Sequence, residues 1–294
     1  MGQSAVLALL LATVLAFFAP ALQEGLQSVL HRRPMCIWLA PPLLTAVFGA
    51  AASIPGLVTV PLVLLILAYT SLPVLCAFLQ GPGPVLRPAA LDFLTILLLW
   101  LPIEFGAGAS LVPRPAQGFL HSVAYGIAII LGLVLFIGFR SFAGLKYNLP
   151  RHGRDFWLPL AGFAAVAPIL AVLGIALGFI PPTHVPAQSA GRMAGTAALI
   201  YVATALPEEI LFRSLIQNLL MHRFGSSART LLAASFIFGS AHLDNGPQPL
   251  PNWRYMILAT IAGLAYGKVF QKASTVLSSA GLHMLVDWTK HLFF

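Results

Sequence analysis

The residues of this chain that could do chemistry are few and are set in apolar sequence. Glu208 and Glu209 stand side by side in the run Leu199 to Arg213, which reads Leu-Ile-Tyr-Val-Ala-Thr-Ala-Leu-Pro-Glu-Glu-Ile-Leu-Phe-Arg. An ionisable side chain at membrane depth costs roughly 2.5–3.5 kcal/mol on insertion scales and is a functional-site hypothesis by default. Glu209 and Arg213 are four residues apart with Glu on the N-terminal side, the favoured order for an ion pair within one helix. Glu208 lies about 100° further round the same helix and outside that pair. A carboxylate held outside an ion pair in apolar surroundings suits proton transfer near neutral pH. The spacing thus predicts a division of labour, with Glu209 and Arg213 structural and Glu208 chemical. Pro207 has no N–H and crowds the preceding turn, so it is expected to kink or restart the helix here.

Two further motifs follow. Phe238-Gly-Ser-Ala-His242 puts Phe238 and His242 on one helix face, with three small residues between them that allow close helix approach. His283-Met-Leu-Val-Asp287 repeats the same spacing in the last apolar segment. Each motif has a plain structural reading: a polar network, a satisfied interior histidine, a His–Asp pair that locks the final helix. His242 and His283 are the histidines most embedded in apolar sequence, whereas the other six lie in loops, at ends or near a helix start. Two glutamates, two imidazoles, an aspartate and an arginine on three successive helices read together as a hydrolytic centre.

The elements that must position these groups are membrane helices. The chain of 294 residues is 59% hydrophobic and 8% charged, with a mean hydropathy of +0.91; a soluble domain is about 25% charged. A spanning helix needs about 20 apolar residues. About ten stretches qualify on this basis, at residues 4–22, 35–53, 58–79, 89–109, 118–139, 155–180, 194–220, 228–243, 254–271 and 274–294. The eighth is short, and the second and fourth are interrupted by Pro and Gly. The fold expected is an all-α polytopic membrane bundle of about 8–10 transmembrane helices, because lipid leaves helices as the open-ended way to satisfy every backbone group. The first stretch is expected to be a spanning helix rather than a signal peptide, since no Lys or Arg precedes it.

The net charge of +8 does not indicate a nucleic-acid partner, because the basic residues are scattered between apolar runs. They follow the positive-inside pattern. That pattern places Arg140, Lys146, Arg151 and Arg154 on the cytoplasmic side, both termini outside, and the acidic motif at or beyond mid-membrane toward the outer face. The loop 243–253 directly after His242 reads as a lid or an ordinary connection. Cys36 and Cys76 lie far apart in apolar helices with no metal spacing, which suits buried thiols.

Glu-Glu-x-x-x-Arg, then Phe-x-x-x-His, then His-x-x-x-Asn or Asp, in that order on separate membrane helices, resembles the CPBP family. That family comprises CAAX prenyl endopeptidases of the Ras-converting type and bacteriocin-processing or self-immunity proteins. The resemblance covers about a third of the chain, with its core motifs in 194–290. It implies a glutamate-type intramembrane endopeptidase. Glu208 would activate water with help from His242, and His283 and Asp287 would stabilise the oxyanion. Glu209, Arg213 and Phe238 would support the site. Gly263-Leu-Ala-Tyr-Gly267 resembles the small-residue helix that packs behind the site in that family. One residue departs from the pattern: the prenyl endopeptidases carry Asn where this chain has Asp287. An amide can donate to an oxyanion and an ionised carboxylate cannot, so Asp287 must be protonated or must orient His283.

Two domains are expected: N-terminal transmembrane helices over 1–154, of unknown role, and a CPBP-like catalytic membrane domain over 155–294. The function expected is cleavage of a peptide bond near the C-terminus of a membrane-embedded or lipid-modified protein, with membrane lipid as the surroundings. No cofactor is expected. The alternatives are a metal-dependent protease with Glu208, His242, His283 and Asp287 as ligands to a divalent ion, and a non-catalytic scaffold or immunity protein. The location expected is an integral, multi-pass one, in the inner or plasma membrane if the source is bacterial.

Overall fold

The structure, a computed structural model, describes residues 2–186, 188–246 and 249–294. Among these residues it is helical throughout, and the one strand-like feature is an isolated bridge between Val85 and Phe142. The chain divides into two compact units, Met1–Ala143 and Gly144–Phe294.

The first unit holds α1 (Gly2–Ala16), α2 (Pro20–Arg32), α3 (Ala40–Ser53), α4 (Val60–Gln80), α5 (Ala90–Glu104) and α6 (Arg114–Leu133), the last running on as a π-helical segment, Val134–Phe139. The expected single span at 4–22 is a bent pair instead. α1 and α2 meet at 84°. Pro20 at the start of α2 and buried Phe17 and Phe18 account for the break: proline suits the first turn of a new helix and not the interior of an old one. Among the described residues of this unit, Arg140 and Asp92 form a buried ion pair. Arg140 donates from Nε to Asp92 Oδ1 at 3.0 Å and from Nη1 to the carbonyl of Gly81 at 2.8 Å. Arg140, expected in a basic cytoplasmic loop, has its side chain buried against Asp92.

The second unit holds α7 (Arg154–Ala176), then a continuous helical run from 190 to 224 composed of α8 (Ala190–Ile200), α9 (Leu206–Glu209) and α10 (Asn218–Phe224), separated by the π-helical segments Tyr201–Ala205 and Ile210–Gln217. It continues with α11 (Ala228–Ser240), α12 (Trp253–Lys272) and α13 (Val276–Phe293). The run does not restart at Pro207. It widens to π geometry on either side, which accommodates the missing N–H; such insertions concentrate at functional sites. α11, α12 and α13 each begin at a side-chain cap, with Ser227, Asn252 and Thr275 accepting from the N–H of Thr230, Tyr255 and Leu277. Of the loop 243–253, residues 247 and 248 lie outside the described residues.

The stretch 144–153 stitches this unit together. Lys146 Nζ donates to the carbonyls of Phe270 at 2.6 Å and Ala273 at 2.8 Å, capping the C-terminal end of α12. Burial, and then the Arg154 charge, push its ammonium below the ordinary lysine value. Asp155 accepts from the N–H groups of Ser274, Arg151 and His152 and so ties α7 to the turn between α12 and α13.

Among the described residues, four helices are long and apolar enough to cross a membrane: Pro34–Ser53, Val60–Gln80, Arg114–Phe139 and Arg154–Ala176, with the bent pair as a fifth if it forms one span. The chain is a multi-pass integral membrane protein. The helices beyond 190 fall short of this test because they are interrupted, short, or interspersed with charged residues. Those are the helices that carry the acidic, imidazole and guanidinium groups.

Candidate active site

The second unit brings the three motifs to one place. Arg213 Nε donates to Glu209 Oε2 at 3.2 Å, and both side chains are wholly buried. Arg213 Nη1 lies 3.5 Å from Gln217 Oε1, and Gln217 Nε2 donates to the carbonyl of Gly267 at 3.0 Å. The guanidinium also stands 4.9 Å from the centre of the Phe238 ring, a cation–π contact in apolar surroundings. Such contacts offset part of the cost of burying the pair, although Arg213 Nη2 is buried without a hydrogen-bond partner among the described residues.

The other oxygen of Glu209 reaches a second motif. His283 Nδ1 lies 3.2 Å from Glu209 Oε1. His283 Nε2 lies 3.3 Å from Asp287 Oδ2 and 3.9 Å from Glu208 Oε2. A carboxylate on each ring nitrogen calls for an N–H on each, which is the imidazolium form. Tyr266 stacks on the ring at 4.6 Å with an interplanar angle of 20°. His283 is therefore fixed in position, rotation and hydrogen bonding, and Asp287 sits against it as an acceptor.

Glu208 differs from its neighbour as the spacing suggested. Its side chain keeps 24% of its surface, whereas Glu209 keeps none. His242 lies just past the end of α11, in a turn and not on the helix. Its Nδ1 is 2.9 Å from the carbonyl of Phe238. A carbonyl can only accept, so this nitrogen carries the proton, and a neutral ring presents Nε2 as an acceptor. Phe238 is the common neighbour of the two histidines, with ring centroids 4.8 Å from His242 and 5.7 Å from His283.

A cavity of about 100 Å³ opens beside them, walled by Phe163, Leu170, Phe179 and Leu258 together with His242, His283 and Asp287. Small residues admit this convergence. A side chain on Gly263 would meet the Phe238 ring at 3.1 Å, and one on Gly267 would meet Gln217 Oε1 and Leu231 Cδ1 at 2.5 Å. Gly267→Ala is expected to cost about 1–3 kcal/mol through overpacking and to dislodge Gln217. A melting-temperature shift together with lost activity checks this.

Tyr255, Tyr266, Gln217 and Lys290 were not singled out from the sequence. Tyr255 packs edge-on to His242 at 4.5 Å. An aromatic residue in an apolar helix reads as core, so neither tyrosine had a distinguishing signal. Gln217 had a weak one, lying four residues beyond Arg213 on the same face. Among the described residues no group of three or more His, Cys, Asp or Glu side chains converges as a metal cage requires.

Comparison with known proteins bears on the same segment. Residues 191–289 match the family model described as Rce1-like, type II CAAX prenyl endopeptidase. The match spans the helical run that carries Glu208 through to α13, and so includes all three motifs. No curated protein matches the chain, and no solved structure does. Over residues 191–289 the chain is thus similar to the Rce1-like type II CAAX prenyl endopeptidases, a family of membrane proteases.

Proposed function

We propose that the chain is an intramembrane endopeptidase of the glutamate type, which hydrolyses a peptide bond near the C-terminus of a membrane-embedded or lipid-modified protein. The observation that carries this reading is the setting of His283: buried Glu209 on one nitrogen, and Asp287 and the more accessible Glu208 on the other. A purely structural network has no need of a second, part-exposed glutamate 3.9 Å from an imidazole that already has two carboxylate partners.

In this reading Glu208 removes a proton from water as the hydroxide adds to the scissile carbonyl carbon. The carbonyl oxygen takes up the negative charge, which the positively charged His283 stabilises. The C–N bond then breaks, the electron pair stays on nitrogen, and the proton held by Glu208 passes to the leaving amine. His242 Nε2 orients the water. Asp287 holds His283 in place and does not itself donate to the oxyanion, which accommodates aspartate where the family's prenyl endopeptidases carry asparagine. Glu209 and Arg213 fix the helix from which Glu208 projects.

Turnover of a lipid-modified peptide by purified protein tests the reading. Activity is expected to survive exhaustive chelation. Loss on chelation and recovery with a divalent ion would replace the glutamate-activated water by a metal-bound one.

A further inference from the structure

We propose that Lys290 is a specificity residue that receives the free C-terminal carboxylate of the substrate's tail. This rests on the endopeptidase reading above and assigns a role to a residue outside its three motifs.

Lys290 lies on α13 one turn beyond Asp287 and lines the same cavity as His242, His283 and Asp287. Its ammonium stands 4.6 Å from the centre of the Tyr255 ring and 4.8 Å from that of Phe179. Among the described residues it forms no side-chain hydrogen bond and no ion pair. The neighbouring carboxylate, Asp287, is directed at His283 Nε2 at 3.3 Å. Aromatic faces hold a cation in place without satisfying its N–H donors, so the group is positioned yet still able to bind an anion.

The rest of the cavity selects what that anion can be attached to. Phe163, Ala167, Leu170, Ala171 and Leu258 make an apolar wall, which suits apolar side chains and excludes a hydrated ion. A short apolar peptide tail ending in a carboxylate meets both requirements. The reach is also right. Lys290 is seven residues after His283, about 10 Å along a helix, and an extended chain covers about 3.3–3.6 Å per residue. A carboxylate at Lys290 therefore leaves a carbonyl only a few residues upstream beside His283.

The test uses a fluorescent, lipid-modified peptide with an apolar tail, made both as the free acid and as the C-terminal amide. Its binding is measured to full-length Glu208→Gln protein in nanodiscs of neutral phosphatidylcholine. The acid is expected to bind roughly tenfold more tightly than the amide, as a charge-assisted contact implies. Lys290→Gln is expected to remove that difference by weakening the acid alone, and Lys290→Arg to retain most of it at an unchanged melting temperature. Equal binding of acid and amide with Lys290 present would overturn the assignment, as would an equal weakening of both by Lys290→Gln. A preference that appears only with anionic lipid in the disc would assign Lys290 to a headgroup instead. Because binding is read on the glutamine variant, this outcome is independent of turnover. Hydrolysis of the same peptide by the wild-type protein reports separately on the endopeptidase reading.

Discussion

Glu208→Gln is expected to lower kcat for cleavage by about 10²–10⁴-fold, the range associated with a general base, with substrate affinity and melting temperature little changed. Glutamine matches glutamate in shape and keeps an acceptor oxygen, but cannot take a proton from water. The side chain is part-exposed, and His283 keeps Glu209 at 3.2 Å and Asp287 at 3.3 Å when Glu208 is neutralised. Glu209→Gln should behave in the opposite way. It removes the charge facing Arg213 in a site with no exposure, and so should reduce stability before it reduces chemistry. Cleavage kinetics paired with thermal denaturation of both variants separate the two roles. Equal loss of stability in both would remove the division between them.

Arg213→Ala is expected to cost about 3–5 kcal/mol of stability, because it leaves Glu209 as a buried charge without its cation. Three other contacts fail at the same time: the approach to Gln217, and the faces of Phe238 and Tyr266 over which the guanidinium lies. The decisive comparison is the double variant Arg213→Met with Glu209→Gln. It removes both charges while keeping side-chain volume and an acceptor for His283 Nδ1. Replacing a whole buried pair by neutral groups of similar shape is often tolerated, so the double variant should be more stable than Arg213→Ala. Unfolding of purified protein in detergent measures this. A single variant costing under about 1 kcal/mol, or a double variant no better than the single, contradicts the role assigned to the pair.

These expectations show which features the sequence exposed. Contacts made within one helical turn were readable from spacing. Glu209 with Arg213, Phe238 with His242, and His283 with Asp287 are each four residues apart and each in contact. The all-α membrane character was readable from the length and apolarity of the runs. Contacts made across the fold were not. Nothing local to Glu209 indicates His283, which is 74 residues away, because helical periodicity says which face a residue occupies and not what that face meets. The tyrosines that wall the histidines carry no polar pattern that separates them from ordinary core residues. Arg140 and Lys146 were readable as basic residues of one loop, but their partners were not, because sequence cannot distinguish a basic residue facing water from one whose donors are taken up by carbonyls or an aspartate. The break between α1 and α2 was masked by uninterrupted hydrophobicity across Phe17 and Phe18, although Pro20 marked it.

The central claim is that Glu208, supported by His283, hydrolyses peptide bonds in membrane proteins. Mapping the C-termini of membrane proteins in cells that express either the wild-type chain or Glu208→Gln at equal level tests it most directly. The expected result is a set of shortened termini present with the wild-type chain and absent with the variant. Identical termini in the two cell populations, with both proteins folded and in the membrane, would contradict it and leave the polar cluster as a structural network.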